Sequence, residues 1–87
     1  MTNDKNNLPP ALSSLFDRLL AVALTDKARR ITGEDWGKRS AAAAKAIDTA
    51  ARRWRSWTPE QGGVANLVLD IATAITEVEI LENWARS

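Results

Sequence analysis

The chain has 87 residues, a formal net charge of +1, and no cysteine, histidine or tyrosine. That length suits one domain, and surface scaling buries roughly 63% of the unfolded surface, enough for one modest core. The missing residues exclude disulfides, thiol nucleophiles, Cys-based metal sites and the usual neutral-pH proton shuttle.

Residues 1–9 read as a loosely held tail, with three Asn beside Asp4 and Lys5 and no apolar run of the kind an export signal needs. Pro10 then suits a first helical turn, where its missing N–H would have no partner anyway. Leu12, Leu15, Phe16, Leu19, Val22 and Ala23 recur at helical spacing, and Leu20, Leu24, Ala28 and Ile31 form a second line. The spacing predicts a first helix over 10–31, with Thr25-Asp26 able to cap a fresh start inside it.

Thr32-Gly33 breaks the pattern, and Thr32 three residues before Asp35 approximates a capping box for a second helix over 34–57. Along this helix Trp36, Ser40, Ala43, Ile47, Ala50, Trp54 and Trp57 follow at alternating steps of four and three. That 3.5-residue repeat is the seam of helices packed nearly parallel or antiparallel. Small residues in its middle admit a close neighbour, and the indoles at its ends are placed to wrap the flanks.

Thr58-Pro59-Glu60-Gln61 carries Thr, Pro and Gln where a full capping box has them, so a third helix is expected over 59–85. Gly62-Gly63 would cost about 2 kcal/mol inside a helix, which allows its ordered part to begin at Val64. The main apolar face is Val64, Leu67, Val68, Ile71, Ile75 and Val78. Leu69 and Ile80 lie more than about 100° away at 3.6 residues per turn. A helix apolar on two faces is central in a bundle or meets another chain. The expected fold is therefore all-α, a three-helix bundle over residues 10–87 in which helices two and three form an antiparallel hairpin, with dimerisation expected.

Charge is sorted by segment. Residues 27–57 hold nine basic and three acidic side chains, whereas residues 58–87 hold one basic and five acidic. Hairpin neighbours of opposite sign can pair along their edges, Arg39 or Arg53 with Asp70 or Glu77. Lys38, Lys45 and Arg52 share one line opposite the Trp seam. With Arg29, Arg30, Arg53 and Arg55 they make up the basic set of a possible nucleic-acid interface. An ordinary solvated face explains the same residues. The Arg52-Arg53-Trp54-Arg55-Ser56-Trp57 segment can also be read as a membrane or base-stacking element, but Trp54 and Trp57 lie on the Ile47 seam and fit a core anchor better. A helix-turn-helix reading through residues 27–33 fails on the Ala run, which offers few side chains to read base edges.

Catalytic means are thin. Glu34-Asp35 and Glu77/Glu79 are too closely spaced to share a helix face, Ser13 and Ser14 lack a base, and no glycine pattern forms a phosphate loop. The expectation is a cytoplasmic, non-enzymatic chain with no cofactor, no metal and no membrane span. It would act as a small regulator, inhibitor, adaptor or accessory subunit that occludes or bridges a protein partner. Trp36, Leu69, Ile80 and Trp84 are the candidate contact residues, because indoles and unpartnered aliphatics dominate interface affinity. A small nucleic-acid binder using the basic second helix is the alternative.

Overall fold

The computed structural model describes residues 8–31, 33–58, 60 and 62–87. Among the described residues four helices occur in chain order: α1, Pro10–Ala23; α2, Asp26–Arg29; α3, Gly33–Ser56; and α4, Val64–Arg86. The packing is all-α, with three main helices and the single turn α2 joining the first two. Most of residues 1–9, and the Thr32, Pro59 and Gln61 positions of the two capping boxes, lie outside the described residues.

The predicted helix over 10–31 is two helices, broken at Leu24-Thr25. The physical cause is Thr25. Its hydroxyl donates to the Val22 carbonyl at 2.7 Å and accepts from the Ala28 N–H at 3.3 Å. One side chain thus satisfies the end of α1 and the start of α2, which competes with a continuous helix.

The third helix starts at Val64 rather than at 59. Gly62 and Gly63 have φ of +67° and +71°, the left-handed region in which a Cβ is strained. The chain therefore reverses there instead of continuing as helix. Trp57 clasps this turn, its indole N–H donating to the Gly62 carbonyl at 2.7 Å.

Helices α3 and α4 are antiparallel. Arg53 ion-pairs with Asp70 near the turn, and Trp36 meets Trp84 at the far end with ring centroids 6.3 Å apart. The α3 seam faces inward along its length: Ser40, Ala43, Ile47 and Ala50 are buried, and Trp36, Trp54 and Trp57 are half-buried. The buried Ser40 hydroxyl donates to the Trp36 carbonyl one turn back at 2.8 Å. Among the described residues no buried side-chain polar atom lacks a partner.

On α4 the inward face is Leu67, Ala74, Val78 and Leu81, with Ile71 and Ile75 half-buried. Val64 and Val68, expected on the main face, are exposed. Their exposure follows from unequal lengths. At 1.5 Å per residue the 14 residues of α1 span about 21 Å and the 24 of α3 about 36 Å. The Arg18–Glu82 pair sets α1 against the C-terminal half of α4, which leaves the turn end of the hairpin uncovered. The overall extents of 47 × 30 × 20 Å reflect this elongation.

Leu12, Leu15 and Val22 hold α1 to the hairpin, joining Ala43, Ile47, Ala50, Ala74, Val78 and Leu81 in one core. Phe16, predicted within that stripe, points out instead and is 46% exposed. The line 12–15–19–22 took the interior where α1 docks on the hairpin. Phe16 sits with Leu20 and Leu24 on a separate four-residue row.

Candidate interaction surfaces

Glu82 of α4 and Arg18 of α1 form a side-on fork. Arg18 Nε donates to Oε2 at 3.0 Å and Nη2 to Oε1 at 2.5 Å. The hydrogen bonds from Arg18 hold the Glu82 carboxyl below its ordinary value of 4.5, and the same bonds raise the Arg18 guanidinium above its own. Because the folded carboxyl is the stronger acid, its contribution is present above pH 4.5 and is lost as the pH falls through the depressed value. Glu82→Gln should accordingly cost about 1 kcal/mol near neutrality, and the gap from the parent chain should close in acid. Chemical denaturation at several pH values measures this; a gap independent of pH would contradict it.

A second cluster closes the far end of the bundle. Lys27 Nζ donates to the carbonyls of Trp84 at 2.9 Å and Ser87 at 3.1 Å, which places a cation on the exposed acceptors at the end of α4. The same ammonium lies 5.1 Å from the Trp84 ring centroid, and the Arg39 guanidinium 4.7 Å from it. Trp36 and Trp84 are thus brought together, half-buried, and packed against the core. The other predicted contact residues, Leu69 and Ile80, are 62% and 55% exposed on α4; Ile80 lies one turn before Trp84 on the same face, whereas Leu69 lies four turns away.

The basic set disperses. Lys38, Lys45 and Arg52 do form one exposed line along α3. Lys38 pairs with Glu34 at 3.7 Å and Arg52 with Asp48 at 3.0 Å, both one turn away on the same helix. Arg53 is committed to Asp70 across the hairpin. Arg29 and Arg30 are exposed on α2 and its C-terminal cap, and Arg55 is exposed near the end of α3.

Besides Val64 and Val68, two apolar tracts remain bare among the described residues. One is Phe16, Leu20 and Leu24 on the outer row of α1, rising from 46% to 64% exposed. The other follows the side of the α3–α4 hairpin away from α1. There a groove of about 280 Å³ is lined by Ala42, Lys45, Ala46 and Thr49 of α3 and by Asp70, Thr73 and Glu77 of α4. On the α4 wheel Leu69, Thr73 and Ile80 fall within about 40° of one another, so the two exposed aliphatics extend the groove outward past Thr73.

The sequence reading missed the α1 row as a surface. Its signal was the repeat of four joining Phe16, Leu20 and Leu24, but periodicity alone did not say which of two rows the hairpin would cover. Among the described residues, no group of three or more His, Cys, Asp or Glu side chains comes together, and no helix is long and apolar enough to cross a membrane. Compared with known proteins, the chain matches no family model, no curated protein and no solved structure.

Proposed function

We propose that the chain is a non-catalytic protein–protein interaction module of the cytoplasm, a small regulator, inhibitor, adaptor or accessory subunit that self-associates and occludes or bridges a protein partner. The observation that carries this reading is the α1 row. Phe16 and Leu20 of α1 and Leu24, its C-cap, stand four residues apart on a helix already anchored by its other face. Three large apolar side chains in one line fit the helix-in-groove mode of recognition, and each gains about 1.5–3 kcal/mol if fully buried by a partner. The Lys45-bearing and Glu77-bearing faces add orientation and association rate more than affinity.

The test is capture from host lysate with the parent chain and with a Leu20→Asp/Leu24→Asp variant. Both positions are exposed, so helicity should be unchanged and stability should move by about 0.5 kcal/mol or less. A protein retained by the parent and lost by the variant supports the reading. If nothing retained depends on this row, the reading is wrong. The nucleic-acid alternative draws on the exposed Lys38–Lys45–Arg52 line, which spans about 21 Å. It requires an affinity for DNA or RNA that falls steeply with salt, and no binding at low salt removes it.

A further inference from the structure

From the open side of the hairpin we infer a specific self-association: the α3–α4 face opposite α1 packs on the same face of a second copy, completing a four-helix layer. This deepens the self-association in the functional reading above and rests on it, although it uses a different surface from the α1 row.

Three features of the face point to a second copy. Its lining includes Ala42, Ala46, Thr49 and Thr73, side chains short enough to let another helix approach closely. On α4, outside Thr73, it carries Leu69 and Ile80, large aliphatics that nothing among the described residues covers. The decisive feature is charge. Along the groove α3 contributes Lys45 and α4 contributes Glu77 and Asp70, the latter already paired with Arg53.

A two-fold axis running parallel to the helices would set each α3 between its own α4 and that of the second copy. Every neighbouring pair in the layer is then antiparallel and opposite in charge. Such a contact is self-complementary and closes on itself, as a two-fold dimer must.

Register supports the same arrangement. Arg53 beside Asp70 at one end and Trp36 beside Trp84 at the other place Lys45 level with Glu77 across the groove. Rotation about an axis along the helices preserves height, so Lys45 also comes level with the partner's Glu77. Lys38 and Arg52, its neighbours in the basic line, are held by acids one turn away on α3 itself. Lys45 has no salt bridge of that kind among the described residues, and it is the cation the dimer would use.

Sedimentation equilibrium across a micromolar-to-millimolar series tests this directly. The expected result is a mass rising from 9.5 kDa to twice that value. Leu69→Asp/Ile80→Asp should hold the chain monomeric while its far-ultraviolet circular dichroism stays helical. Lys45→Glu and Glu77→Lys should each raise the dimer dissociation constant about tenfold, since every dimer contains the pair twice. The Lys45→Glu/Glu77→Lys double variant should restore it.

A chain that stays monomeric throughout overturns the inference. So does a dimer indifferent to Leu69 and Ile80 but lost in Leu20→Asp/Leu24→Asp. A monomer that captures a different protein through Leu69 and Ile80 overturns the self-association while leaving the interaction-module reading intact. Failure of α1-dependent capture with the dimer preserved does the reverse.

Discussion

Replacing Ile47 by alanine should lower the unfolding free energy by about 2–5 kcal/mol. The side chain is 0% exposed at the middle of α3, where the buried faces of all three main helices meet. Its neighbours on the seam are Ala43 and Ala50, which have no atoms to swing into the space, so the cavity stays open and the cost falls toward the upper part of that range. A chain of this size has a total stability of about 4–13 kcal/mol, so a large fraction is at stake. Urea unfolding followed by helical circular dichroism measures it.

Two companions separate burial from hydrophobicity in the same experiment. Trp54→Ala should cost about 2 kcal/mol, less than full burial of an indole would imply, because Trp54 is half-buried. Phe16→Ala should cost under about 1 kcal/mol, since close to half of the residue is in water and it lies outside the core. A Phe16 loss equal to that at Ile47 would show that the outer row of α1 is not outer at all.

Ala43→Leu should destabilise by about 1–3 kcal/mol through overpacking. Ala43 is 1% exposed on the α3 seam facing α4, and three added carbons would push the two helices apart or force a strained rotamer. The control is Ala44→Leu, one residue along and exposed, where helix propensity hardly changes and stability should stay within about 0.5 kcal/mol. Thermal melts distinguish the two: each kcal/mol shifts the midpoint of a domain this small by about 4–8 °C. A stabilised Ala43→Leu chain would mean that the seam holds a void, and that small residues there do not serve close approach.

Much of this architecture is written in local chemistry. The 3.5-residue repeat from Trp36 to Trp57 already implied a helix with one inward seam, because side-chain direction along a helix follows from backbone geometry alone. The hairpin was legible in the Gly62-Gly63 break, and the Arg53–Asp70 pair in the opposite charges of its two arms. Even the break at Thr25 was visible as an option, since a threonine hydroxyl can end one helix and open another.

What local chemistry left open is which of two apolar rows finds a neighbour. Rows 12–15–19–22 and 16–20–24 of α1 are similarly hydrophobic, and only docking against Ile47 and Val78 decided that Phe16 would face water. Val64 and Val68 read as core on any helical wheel, yet α1 stops short of them. The same holds for the groove beside Ala42 and Thr73, which exists because two long helices pair and the short third covers only one side. Periodicity reports a face, whereas burial depends on the arrival of a distant segment whose length and position no local pattern encodes.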